Sequence, residues 1–112
     1  MAKFVKGDVV IIPFPFSDLS GNKKRPALVL VDLAGDDIIL CQITSQFGND
    51  NLAIPITSYH FDSGSLPISS YIRPSRIFTA DKNIIIKKTG TLKNEIVQTV
   101  VSKIITLLQN AI

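Results

Sequence analysis

Cysteine is almost missing from this sequence: Cys41 is the only one in 112 residues. That excludes an intrachain disulfide and any CxxC metal knuckle, fits a reducing compartment, and leaves the thiol to be read as a small buried hydrophobe. Histidine also occurs once, as His60, so a site built on two histidines of one chain is excluded. Charge is scarce, at 19% of residues against 46% hydrophobic, a balance that excludes long disorder or a low-complexity tail. No apolar run is long enough for a bilayer. The stretch from Val9 to Phe16 is broken by Pro13 and Pro15 and falls far short of the roughly 20 residues a membrane helix needs. The opening Met1-Ala-Lys-Phe-Val-Lys-Gly-Asp puts charge where a signal peptide has its apolar stretch, so the expectation is a soluble cytoplasmic protein.

What is present fits one independent core, and residues 1–112 read as a single domain with no internal repeat and no linker. Such an apolar load in a small chain points to hydrophobic surface covered by another subunit. The formal net charge of +3 favours acidic partners such as nucleic acid. Its densest cluster, Lys23-Lys24-Arg25, closes a polar stretch from Ser17 that reads as an exposed loop.

Gly7-Asp8 is a turn signal, and the β-branched Val9-Val-Ile-Ile after it predicts a strand to about Phe14. Pro26 to Val31 reads as a second strand, buried on both faces. Ile38 to Ser45 reads as its hairpin partner across the short connection Ala34-Gly-Asp-Asp. Leu52–Ile56, Ser70–Pro74 and Asn83–Lys88 read as further short strands between segments rich in Gly, Ser, Asn and Pro. From Leu92 the period changes: Ile96, Val97, Val100, Val101, Ile104, Ile105, Leu107 and Leu108 recur at helical spacing, with Thr91 as the expected N-cap and Glu95 in the first turn. The fold class is therefore mainly β, a compact and strongly bent sheet or small barrel of short strands with a C-terminal amphipathic helix.

Gly7-Asp8-Val9-Val10, Lys24-Arg25-Pro26-Ala27-Leu28-Val29-Leu30, Ile43-Thr44-Ser45-Gln46 and Ser75-Arg76-Ile77-Phe78-Thr79-Ala80-Asp81-Lys82, in that order and spacing, resemble the PemK/MazF toxin family over nearly the whole chain. The resemblance implies an SH3-like barrel of antiparallel strands, a homodimer with grooves near its interface, and a sequence-selective endoribonuclease that cuts single-stranded RNA without a metal or other cofactor. It also implies a cognate antitoxin with an acidic, partly disordered segment.

Cutting RNA in this way requires the 2′-OH to attack its neighbouring phosphate, charge on the phosphorane to be stabilised and the departing 5′-oxygen to be protonated. Arg25 matches the family's catalytic arginine, and its planar fork suits two phosphate oxygens. Thr44 matches the catalytic threonine; on the residues alone it reads as an ordinary β-branched strand residue. Ser45 and Gln46 are adjacent candidates for base or phosphate contacts. Arg73 and Arg76, both candidates for substrate binding, flank Pro74-Ser75, and their odd spacing predicts opposite faces of a strand, so that one of them faces the groove. Arg76 is the better family match, and at Arg73 some members carry a catalytic carboxylate that this chain lacks. Asp18 is a candidate base or base-edge contact, though a loop aspartate also serves as a turn-former. Lys23 and Lys24 are candidates for RNA and antitoxin contacts, on a loop from Ser17 to Lys24 expected to gate the groove. His60 reads as a partly buried connector residue, and Phe14 and Phe16 as core. Two alternatives stay open. One is a CcdB-like gyrase poison of the same fold, which relies on an aromatic near the C-terminus where this chain ends Leu108-Gln-Asn-Ala-Ile112. The other is a catalytically inactive RNA-binding module.

Overall fold

Short β-branched runs between Gly and Pro punctuation build most of this molecule. A computed structural model describes residues 4–13, 23–46 and 48–110. Strand β1 spans Asp8–Pro13, β2 Lys24–Asp32, β3 Asp37–Thr44, β4 Ile54–Ile56, β5 Phe61–Gly64, β6 Ser70–Asp81 and β7 Lys87–Leu92, and helix α1 covers Asn94–Asn110. Short 3-10 turns at Ser58–His60 and Lys82–Ile84 lead into β5 and towards β7. These strands form one sheet in the order β4-β6-β3-β2-β1-β7-β5, and every pairing is antiparallel.

Chain connectivity forces this sheet to curl. Laid flat, its two edge strands, β4 and β5, would lie roughly 29 Å apart at ordinary strand spacing. Yet β4 ends at Ile56 and β5 begins at Phe61, a link that spans at most about 18 Å when fully extended. The edges must therefore approach each other, giving a curled, half-barrel sheet. Ile54 and Ile56 of β4 and Phe61 of β5 accordingly join one core with Val9, Leu28, Cys41 and Ile43, closed by Val97, Val100 and Ile104 of α1. Strand alternation sends Val10, Ile12, Ala27, Val29, Ile38 and Leu40 into a second cluster on the other face, covered by Phe4, Phe78, Ile84 and Ile85. Burial on both faces explains why the central strands read as continuous apolar runs.

The structure departs from the sequence reading in five places. β2 starts at Lys24 rather than Pro26, so Lys24 and Arg25 pair with Pro13 and Ile12 of β1 instead of lying in a loop. The strand expected at Ser70–Pro74 continues through Pro74 to Asp81. The strand expected at Asn83–Lys88 splits into a 3-10 turn and the start of β7. Thr91 is not the helix N-cap: it lies in β7, and its hydroxyl donates to Asp8 Oδ1 at 3.0 Å, so α1 begins at Asn94. β5 was not expected at all. At Gly64, with φ of +68°, a Cβ would sit 2.2 Å from the Thr89 carbonyl oxygen, so the close approach of β5 to β7 requires glycine. On α1 the apolar stripe is narrower than its pattern, for Ile105 and Leu108 are exposed. Among the described residues no helix is long and apolar enough to cross a membrane.

Candidate active site

The β2–β3 pairing begins at Ala27↔Gln42, and Arg25 and Thr44 each lie two residues beyond that pair on their own strands. Both line a cleft of about 240 Å³ at the strand ends, with Lys24 and Ser45 beside them and Ile11, Pro26, Ile43 and Ile68 as apolar lining. Arg25 is half-buried, whereas Lys23 and Lys24 are exposed. A guanidinium against partly apolar walls acts through a lower effective dielectric than a fully solvated lysine does.

Thr44 ends β3 in a way that prepares its hydroxyl. The backbone N–H of Gln46 donates to Thr44 Oγ1 at 3.2 Å, turning the chain out of the strand. The hydroxyl thus spends an acceptor site on its own loop and keeps its O–H to donate elsewhere. Thr44 also lines a second, larger concavity of about 700 Å³ with Gln46, Asn49, Asp50, Asn51 and Arg73. It is the residue common to both spaces.

Arg73 is held at both its side chain and its backbone. Its Nε donates to Asp50 Oδ2 at 2.8 Å, while the thiol of Cys41 donates to its carbonyl oxygen at 3.0 Å. Next to it the β3–β6 register jumps from Cys41↔Ile77 to Ile43↔Ile72, two steps along β3 against five along β6. Such a bulge re-aims side chains. Simple alternation therefore cannot be counted from Arg73 to Arg76. Asp50 Oδ1 in turn accepts from the backbone N–H of Leu52 at 2.9 Å. The hydrogen bond from Arg73 holds the Asp50 carboxyl below its ordinary range; burial opposes this, and the Leu52 N–H and the charges of Arg73 and Arg76 add to it. Burial pushes the Cys41 thiol up to about 12, so it stays protonated and packs as the small hydrophobe expected.

Of the sequence candidates, Arg25, Thr44, Lys24 and Ser45 share the smaller cleft, and Thr44, Gln46 and Arg73 share the larger pocket. Arg76 is exposed on β6 and acts on Asp50 through its charge. Asp18, Phe14 and Phe16, with the loop as far as Asn22, lie outside the described residues. His60 is taken up locally: its Nδ1 accepts from the Thr57 N–H at 2.9 Å, and its ring meets Tyr59 edge-on at 5.5 Å. Sequence reasoning missed Asp50. Asn49-Asp50-Asn51 carries only a turn signature, and the partner that gives Asp50 meaning is 23 residues away. Among the described residues no group of three or more His, Cys, Asp or Glu is arranged to hold a metal ion. What the site offers is a guanidinium and a hydroxyl at one cleft and an arginine–carboxylate pair at the next, a set suited to an anionic backbone with polar groups along it.

Residues 5–108 match the model of the PemK-like, MazF-like toxins of type II toxin-antitoxin systems. The chain belongs to this family. A search of curated proteins finds no match for the toxin. Solved structures with the same fold include an endoribonuclease in complex with its cognate antitoxin from a Mycobacterial species, with a TM-score of 0.72 and 16% identity over 98% of this chain and 99% of that one. MazE-MazF from Deinococcus radiodurans superposes with a TM-score of 0.74 and 18% identity over 93% and 94%. The Mycobacterium tuberculosis toxin MazF-mt6 does so with 0.70 and 14% over 91% and 96%. At these identities the likeness speaks for the fold of the toxin, and the chemistry rests on its own residues.

Proposed function

We propose that the toxin is an endoribonuclease that cuts single-stranded RNA with Arg25 and Thr44 as its catalytic pair. The observation that carries this reading is their shared cleft at the ends of β2 and β3. In the reaction the ribose 2′-oxygen bonds to the adjacent phosphorus as the bond to the 5′-oxygen breaks. A proton leaves the 2′-OH and one joins the departing 5′-oxygen, giving 2′,3′-cyclic phosphate and 5′-OH ends. The guanidinium of Arg25 meets the charge that grows on the non-bridging oxygens. Its role is electrostatic, because a guanidinium is a poor proton donor. The O–H of Thr44 orients a phosphate oxygen or the attacking hydroxyl. Lys23, Lys24, Ser45, Gln46 and Arg76 contact the flanking RNA, with Asp18 a further contact from the first loop.

The working form is a homodimer, supported by large apolar side chains left exposed, among them Val5, Ile86 and Leu108. Its regulator is an antitoxin whose acidic segment covers the basic cleft and excludes RNA. Incubating the protein with a long RNA in EDTA and mapping the fragment ends tests the activity. The expected result is cleavage at one short motif with cyclic-phosphate ends. Intact RNA, or ends bearing a 5′-phosphate, would overturn the mechanism. Light scattering should give about twice the chain mass, and a saturating acidic antitoxin peptide should abolish cleavage.

A further inference from the structure

Two half-buried cation–carboxylate contacts in this protein are built differently. Lys82 Nζ lies 2.6 Å from Asp32 Oδ1 as an ion pair and donates to the carbonyls of Leu33 and Gly35 at 2.7 and 2.8 Å, so its ammonium is engaged on several sides in bracing the β2–β3 turn. Arg73, among the described residues, bonds its carboxylate through Nε alone, leaving the terminal nitrogens of a planar fork. Its side chain keeps 27% of its exposure, beside a space of about 700 Å³ that also holds Thr44. Asp50 is the opposite: with Arg73 on Oδ2 and the Leu52 N–H on Oδ1, and only 10% exposed, its carboxylate is fixed at both oxygens.

We propose that Asp50 is a positioning residue that grips Arg73 by Nε and so presents the terminal nitrogens of its guanidinium to an RNA phosphate beside Thr44, in the larger pocket. This rests on the reading of the cleft as an RNA-cutting site. It assigns the carboxylate a task unlike that of an acid or base on the strand itself: here the strand carries the cation, and the loop carries the carboxylate that aims it. Asp50 is a weak base for the same reason that it is a firm anchor, since the hydrogen bond from Arg73 stabilises its ionised form. A group in this role changes how well the phosphate is held, more than how fast the bond breaks.

The test compares Arg73→Ala, Asp50→Ala, Asp50→Asn and the double alanine variant, in cleavage kinetics and in binding to a single-stranded 2′-O-methyl RNA. That probe has no free nucleophile and reports binding alone. Arg73→Ala should weaken binding and raise KM about tenfold, the scale of one charged hydrogen bond, with kcat changed far less. Asp50→Ala should do nearly the same, and the double variant should be no worse than Arg73→Ala, because Asp50 acts through Arg73. Asp50→Asn keeps an acceptor for Nε and the turn to Leu52, so it should recover most of the loss, leaving a deficit of about threefold. The proposal is overturned if Asp50→Ala binds RNA as wild type does, if the two alanine effects multiply, if folded Asp50→Asn binds RNA as weakly as Asp50→Ala, or if the substitutions at Asp50 lower kcat and leave KM unchanged. Wild type that binds the methylated RNA with this pattern of variants, yet cuts no RNA, would remove the proposed activity and leave the positioning role standing. Absence of any RNA binding would remove both.

Discussion

Asp8 and Asp50 are both bonded carboxylates in the same small protein, the first buried and the second half-buried, and they differ in what surrounds them. Asp8 is 1% exposed; its oxygens accept from the Val5 N–H and the Thr91 hydroxyl, with Lys88 Nζ 3.6 Å away. These partners come from the chain just before β1 and from β7, so the group stitches a strand into the sheet. Asp50 is also bonded at both oxygens, but its arginine opens on a pocket that the protein leaves unfilled. Buried charge alone therefore does not mark function here. The mark is charge next to space.

The comparison predicts that substitutions at the two kinds of place read out in different assays. The largest effect should be on activity: Arg25→Ala should lower cleavage by about 100-fold or more, as loss of an oxyanion-type donor does, with the denaturation midpoint near wild type. Equal loss of stability would mean that Arg25 belongs with Asp8. Asp8→Ala should show the reverse, costing about 2–3 kcal/mol in urea unfolding because the Thr91 hydroxyl and the Val5 N–H lose their acceptor, while the folded fraction keeps its kcat. Thr44→Val should lower kcat by about tenfold, the cost of a lost hydrogen bond in the transition state, and leave the fold intact. A Thr44→Val protein that cuts at the wild-type rate would remove the hydroxyl from the mechanism.

The smallest effect is one of pH. A carboxyl whose folded pKa is depressed contributes stability above its unfolded value and loses that contribution as pH falls through the folded value. The stability gap between wild type and Asp50→Asn, about 1 kcal/mol for a partly exposed pair, should hold from neutral pH down to the ordinary carboxylate value of 3.8 and close below it. A gap that closed near pH 6 would show that Asp50 is not held down by Arg73.

Much of this was legible in the chain. β1, β2 and β3 follow from β-branched runs bounded by turn residues, and α1 from its helical spacing, because burial on a fixed face writes a period into the sequence. β5 writes none: in Phe61-Asp-Ser-Gly64 only Phe61 is buried, and the strand exists because Gly64 and Gly90 allow a close approach. Thr91 misled for a related reason. Its local preference for a helix cap lost to a partner 83 positions away. The candidate pair Arg25 and Thr44 was named through family resemblance, and only the folded hairpin brings both to one cleft. Asp50 was invisible because the partner that gives it meaning, Arg73, is 23 positions away on a strand with an irregular register.

The course of β2 has an electrical consequence. It starts at Lys24 and Arg25, just after Lys23, and ends at Asp32 beside the turn that carries Asp36 and Asp37; across the sheet Asp81 pairs with Asp37. Positive charge thus gathers at one end of a nine-residue strand, and negative charge at the other, about 26 Å away. Along β2 and its neighbours the charge is thus polarised, with Lys82 offsetting part of the negative end at Asp32 and the positive end at the mouth of the cleft. In the field of an approaching polyanion the molecule feels a torque before any contact forms, and the acidic end swings away. Orientation then precedes docking, so added salt should slow the encounter more steeply than the modest net charge would suggest.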